Sequence, residues 1–191
     1  MKRKELIRCE WCHGHTDDYI RYHDEEWGVP VHDDQKHFEF LILEGAQAGL
    51  SWATILKRRE GYRWAFANFD AEKVAGYEEK KIRELLDFPG IIRNNLKVRG
   101  AVKNAGRFLA IQKEFGSFDR YIWDFVKGKP IDNKRKNMGE VPATSKESDL
   151  LARDMKKRGF TFAGSTIMYA HMQACGLVND HTTDCFRYGQ V

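Results

Sequence analysis

No stretch of this sequence is apolar for long enough to cross a membrane, and its start, Met1-Lys2-Arg3-Lys4-Glu5, is charged where an export signal would be hydrophobic. The expectation is a soluble protein of a reducing compartment, the cytoplasm of a bacterial-type cell. Cysteine is scarce, with 4 residues in 191. In a reducing compartment that excludes a disulfide-stapled scaffold and makes metal binding the better use of a thiol. A large excess of one charge sign is also missing. The net charge of +4 permits a nucleic-acid partner without requiring one. Strands of useful length and internal repeats are absent. Hydrophobic content of 42% and aromatic content of 13% are enough for a real core, and the apolar residues recur at helical spacing. The chain reads as one all-α domain over residues 1–191.

Taken in order, residues 8–15 form a loop rich in ligand atoms, Arg8-Cys9-Glu10-Trp11-Cys12-His13-Gly14-His15. The C-x-x-C-H within it matches a haem-attachment pattern, but that chemistry needs export. Tyr19, Tyr22 and His23 share a helical face, ended by Gly28 and Pro30. Asp33 or Asp34 caps a helix broken at Gly49. Ser51 caps the next, which carries Trp52 to Phe66 with Lys57, Arg58 and Arg59 on its polar side. Asp70 caps a short turn through Val74. Further helices are read at 78–87, 92–115, 119–126, from the capping-box pattern at 144–147 to Lys157, and at 165–174. Residues 127–141 read as a basic surface loop, the least ordered part of the fold.

The stretch Leu43-Glu44-Gly45-Ala46-Gln47-Ala48-Gly49-Leu50-Ser51-Trp52 stands apart. An acid within an apolar run is unfavourable by several kcal/mol if it is charged and unpaired. Glu44 must therefore be neutral, paired, or matched to a cationic ligand. Small residues beside it leave room for close approach, and Trp52 adds a flat apolar face. The pattern suits the wall of a pocket for a flat cation; it also suits a buried helix with a satisfied Glu.

Residues 85–98 read as helix, Pro-Gly turn, helix, which resembles a helix-hairpin-helix. Backbone N–H groups at such a turn hold a DNA phosphate, with Gly90, Arg93 and Lys97 as candidate contacts. Ile92 stands where the usual second hairpin glycine would fall. At the end of the chain His181 and Cys185 are spaced H-x-x-x-C. Joined to Cys9 and His23 they would make a closed tetrahedral Cys₂His₂ site suited to structural zinc, although a Cys9–Cys12 pair competes.

Together, Tyr19-x-x-Tyr22-His23-Asp24-x-Glu26-Trp27-Gly28-x-Pro30, Leu43-Glu44-Gly45-x-Gln47-Ala48-Gly49-Leu50-Ser51-Trp52, Gly90-Ile91-Ile92-Arg93, Lys157-Arg158-Gly159-Phe160 and the run from Gln173 to His181 resemble the 3-methyladenine DNA glycosylase I family. The likeness spans nearly the whole chain in order. It implies a helix-hairpin-helix glycosylase fold, with the hairpin over about 78–103. It also implies one structural Zn²⁺ held by Cys9, His23, His181 and Cys185, which favours His23 over Cys12. This zinc-binding subdomain is built from about 1–30 and 145–191. The base pocket is implied at Glu44, Trp52, Tyr19, Tyr22 and Trp11, with Trp27 near it.

The implied activity is DNA repair: flipping 3-methyladenine out of double-stranded DNA that contains alkylated adenine, then hydrolysing its glycosidic bond. The free base is the product, and the enzyme is expected to act as a monomer. Leu50 would fill the gap left by the flipped nucleotide. Between Gly90 and Phe118 the only acid is Glu114, and Arg93 offers no amine for a Schiff base. Both absences point to a monofunctional glycosylase without strand cleavage. The competing expectation is a zinc-stabilised module that binds DNA structure without catalysis.

Overall fold

The computed structural model describes residues 6–191. The charged start, residues 1–5, lies outside the described residues. The body consists of α1 (Asp17–Glu25), α2 (Asp34–Gln47), α3 (Trp52–Leu56), α4 (Arg59–Ala65), α5 (Ala71–Ala75), α6 (Glu79–Asp87), α7 (Asn95–Phe115), α8 (Phe118–Asp124), α9 (Lys146–Lys157) and α10 (Ser165–Ala174). Two-residue strands, β1 (Ile131–Asp132) and β2 (Val178–Asn179), pair in parallel.

Helix α2 is the axis around which the others pack. It touches α3, α4, α7, α8 and α10, and residues 37–46 are all buried. A helix buried on every side needs partners for its polar groups. Glu39 finds Arg59, Arg63 and Lys36. Glu44 finds none among the described residues, which sets up the site described below.

Side-chain caps fix most helix starts. Asp33, Ser51, Asp70, Asn94, Ser117 and Ser145 each accept a bond from the N–H three residues on. Such a cap is worth about 1 kcal/mol. Asp34, the other predicted cap of α2, instead reaches the start of α8, where it accepts from the N–H groups of Phe118 and Asp119 at 2.8 Å.

Several expectations change in three dimensions. The single helix predicted from Ser51 to Phe66 divides into α3 and α4. The break at Lys57 and Arg58 turns Arg59 inward rather than leaving it on a polar face. Its guanidinium bonds Glu26 twice at 2.8 Å and Glu39 at 2.7 Å, forming a part-buried ion network. The capping box of α9 uses Ser145 and Ser148 rather than Thr144 and Glu147. Helix α7 starts at Asn95, not Ile92, because Asn94 caps it. The supposed loop at 127–141 is pinned: β1 pairs with β2, and Arg135 bonds the buried Asp180.

Candidate active site

Several elements meet at one pocket. The loop before α1 brings Trp11, and α1 itself brings Tyr19 and Tyr22. Trp27 follows in the turn after α1, α2 supplies Glu44 and Gln47, and α3 opens with Trp52. These residues line a pocket of about 290 Å³ together with Met138, Val141, Ala170 and Gln173. All six predicted pocket residues thus face one cavity. Met138, Val141, Ala170, Gln47 and Gln173 escaped the sequence reading. Met138 and Val141 lie in the segment that looked like a solvated loop, and no local pattern marks them.

The aromatic rings form a connected wall. Trp11 meets Tyr19 edge-on at 5.4 Å and Trp27 at 5.0 Å, while Tyr22 and Trp52 lie 5.4 Å apart. Such contacts hold rings in fixed orientations, so the pocket is pre-shaped. Trp11 Nε1 and Trp52 Nε1 are buried without a partner among the described residues.

Glu44 is 4% exposed. Among the described residues its carboxylate has no hydrogen bond and no ion pair. Burial alone pushes its pKa up to about 8, because desolvation disfavours the charged form. Burial, with Glu44 close by, likewise drives the Tyr22 phenol well above its ordinary value and keeps it protonated. The result is a solvent-opening aromatic slot with one acid whose charge is unfavourable until a donor or cation arrives.

Beside the pocket, the chain turns from α2 to α3 through residues 48–51. Gly49 adopts a left-handed φ of +78°. Leu50, 37% exposed, stands out from this turn. Lys97 Nζ donates to the carbonyls of Ala46 at 2.8 Å and Ala48 at 2.6 Å. Its ammonium therefore caps the C-terminal end of α2 rather than standing free in solvent.

The turn between α6 and α7 is clamped from behind by α4. Arg58 donates to Pro89 O at 2.7 Å, and Tyr62 OH accepts from Ile92 N at 3.2 Å. Gly61 packs against the turn so closely that a Cβ there would overlap Gly90 O. Gly90 itself has no left-handed φ; its lack of a side chain makes room for the Phe88 ring. Arg93 is exposed on the same turn and makes no ion pair among the described residues.

The chain ends meet behind the pocket. Phe186 N bonds Ile7 O at 2.9 Å. One ligand atom each from Cys9, His23, His181 and Cys185 lies within 4.8 Å of all the others, and all four residues are buried. Cys9 Sγ is 3.5 Å from His181 Nδ1, and Cys185 Sγ is 3.6 Å from both His181 Nδ1 and His23 Nε2. The outward ring nitrogens are held: His23 Nδ1 by Asp24 at 2.8 Å, and His181 Nε2 by Trp27 O at 3.0 Å. Gly28, at φ +81°, has no room for a side chain against His181. Cys12 stands outside the cluster and points its thiol at Cys9 O, 3.1 Å away.

The site is thus an aromatic slot in a helical body, with a buried acid that has no partner among the described residues. The sequence profile of the methyladenine glycosylase family matches residues 11–188, and the chain belongs to that family. It is 45% identical over 183 residues to DNA-3-methyladenine glycosylase 1 of Escherichia coli strain K12, covering 96% of this chain and 97% of that protein. A crystal structure of 3-methyladenine DNA glycosylase I superposes with a TM-score of 0.91 at 47% identity, covering 94% of this chain and 98% of the other. A second, a single-residue variant of 3-methyladenine DNA glycosylase I in complex with 3-methyladenine, also gives 0.91. Its identity is 35%, over 94% of this chain and 96% of the other.

Proposed function

We propose that the pocket around Glu44 receives 3-methyladenine flipped out of duplex DNA and that the protein hydrolyses the bond joining that base to its sugar. The chain is a DNA-3-methyladenine glycosylase, a hydrolase of N-glycosyl bonds that serves DNA repair. The observation that carries the pocket assignment is the unpaired, buried Glu44 within an aromatic slot.

Methylation at N3 leaves the base in DNA with a positive charge. A cation entering the slot supplies Glu44 with the partner that its surroundings lack and favours its ionised form. Each charge-assisted bond to the carboxylate is worth about 1.5–3 kcal/mol. Stacking on Trp11, Tyr22 or Trp52 adds roughly 1–3 kcal/mol, and cation–π attraction favours the methylated base over neutral adenine. Together these offset the few kcal/mol of unstacking and unpairing. In the chemical step the bond between C1′ and the base breaks, its electron pair leaves with the base and cancels the positive charge, and water adds to C1′ and releases one proton to solvent. A leaving group that departs neutral needs little further activation. That suits a site in which Glu44 recognises the base and no second acid lines the pocket among the described residues.

The α6–turn–α7 unit acts as the DNA grip, a helix-hairpin-helix whose turn amides take a phosphate while Arg93 adds charge. Leu50 fills the space vacated by the flipped nucleotide. Lys97 contributes by holding the turn that presents Leu50.

Cys9, His23, His181 and Cys185 fit one Zn²⁺. Two thiolates neutralise the ion, both histidines have outer partners, and backbone N–H groups of Thr182 and Arg187 point at the sulfurs, at 3.4 and 3.5 Å. Four protein ligands leave no open position, so the ion would tie the chain ends together and stay out of the chemistry. Incubation with methylated duplex DNA, followed by analysis of released bases, tests the activity. Release of 3-methyladenine with intact strands is expected; no release would refute it.

A further inference from the structure

The spacing H-x-x-x-C occurs twice in succession, at His181–Cys185 and ten residues earlier at His171–Cys175. The first pair belongs to the cluster at the chain ends. The second faces a third donor of its own. His171 and Cys175 lie at the end of α10, and His37 faces them from α2, one heptad before Glu44 and on the same helical face. One ligand atom from each lies within 4.8 Å of the other two, and all three residues are fully buried. We propose that His37, His171 and Cys175 form a second metal site, separate from the Cys9–Cys185 cluster, that takes one Cu(I) ion on the seam between α2 and α10.

The distances support an ion. His37 Nδ1 is 3.3 Å from His171 Nε2, which is 3.6 Å from Cys175 Sγ. Two ligands bound to one ion at about 2.0–2.3 Å stand roughly this far apart, and the Cys9 cluster shows the same separations of 3.5 and 3.6 Å. The ring of His37 is oriented for the task. Its Nε2 donates to Val31 O at 3.1 Å, with Asp119 at 3.7 Å, so Nδ1 presents a lone pair to the other donors. A carbonyl or carboxylate behind the outer nitrogen is the usual support of a ligating histidine. Without an ion His171 Nε2 donates its one ring proton to His37 Nδ1, and His171 Nδ1 has no partner among the described residues; an ion at Nε2 moves that proton to Nδ1.

Charge selects the metal. Two neutral imidazoles and one thiolate carry −1, so Cu(I) makes the buried unit neutral while Zn²⁺ would leave +1 in a dry interior. Soft, low-coordinate Cu(I) also accepts three ligands including a thiolate. By the same count Zn²⁺ is neutral at Cys9–His23–His181–Cys185. Each site suits one ion and disfavours the other. Since no ligand is exposed, the ion would enter as α2 and α10 come together.

The test loads the full chain during anaerobic refolding with one equivalent of zinc, adding Cu(I) as its acetonitrile complex against a competing chromogenic chelator. Copper and zinc per chain are then measured after desalting, and circular dichroism verifies the fold. The expected result is one zinc and one copper per chain for the wild type. Cys175→Ser, and separately the apolar pair His37→Leu with His171→Phe, should retain the zinc and lose at least tenfold in Cu(I) affinity. The apolar pair keeps the test open if Cys175→Ser does not fold. Absence of copper from the refolded wild type would overturn the proposal. So would copper that replaces zinc at the Cys9 cluster, or copper that both variants hold as tightly as the wild type. Any of these would leave His37 and His171 a hydrogen-bonded pair. The outcome is independent of glycosylase activity, which need not be measured.

Discussion

Replacing Glu44 with Gln keeps its shape and removes its titration, which makes the acid's energetic role measurable. In the folded protein the carboxyl titrates at about 8 against an ordinary value of 4.5, with burial as the cause. Between these values the folded protein keeps a proton that the unfolded chain has lost. Stability therefore falls as pH rises through that window, by up to about 1.4 kcal/mol per pH unit, and the full loss above pH 8 is roughly 5 kcal/mol. The pocket opens to solvent, so water and local adjustment reduce this, and a loss of about 2–4 kcal/mol is the working figure. Urea denaturation of wild type and Glu44→Gln between pH 5 and 9 reads it directly. The two should have similar stability at pH 5, and the variant should be the more stable at pH 8.5 by about 2 kcal/mol or more. A difference that stays constant within about 0.5 kcal/mol across the range would refute the picture of an unpaired buried acid. The same picture requires a cation in the pocket to restore the ionised form. Glu44→Ala should then lose binding to free 3-methyladenine by titration while remaining folded.

Cys185→Ser should release the zinc and destabilise both chain ends; undiminished zinc by elemental analysis would remove Cys185 from the ligand set. Gly61→Ala places a methyl group against Gly90 O and should displace the hairpin. Affinity for duplex DNA by fluorescence anisotropy is expected to fall about tenfold, with binding of the free base unchanged. Lys97→Met keeps the stem but frees the carbonyls of Ala46 and Ala48, for a loss of about 1–3 kcal/mol in urea denaturation. Arg59→Met leaves Glu39 buried without its main partner and should cost about 3–5 kcal/mol at neutral pH. Burial pulls the Glu26 pKa upward, but the bonds from Arg59 and Lys36 outweigh it and set the value at about 2. Their stabilisation is present above pH 4.5 and is lost as pH falls toward 2, so this variant should show a weaker acid dependence over that range.

Local chemistry was legible in the residues. Helix starts at Asp33, Ser51 and Asp70 followed from their short polar side chains, whereas Asn94, Ser117 and Ser145 cap helices whose starts the sequence placed elsewhere. Glu44 was conspicuous because an acid amid Leu41, Ile42 and Leu43 has to be accounted for. The thiols and imidazoles of the Cys9–His23–His181–Cys185 cluster were visible as residue types. The same logic went too far at residues 51–66, where helical spacing concealed a break, and at residues 127–141, where a polar composition hid two pocket residues.

By itself the sequence determined where most of the helices lie, the family, and the identity of the conspicuous acid Glu44, because these depend on propensity, capping and pattern along the chain. Only the tertiary structure decided what stands beside what. It brought Cys9 to His181 across 172 positions, turned Arg59 inward, put Lys97 on the end of α2, and set His37 against His171 and Cys175. Those placements come from how buried helices pack around α2, and packing is a property of surfaces that meet rather than of neighbours along the chain.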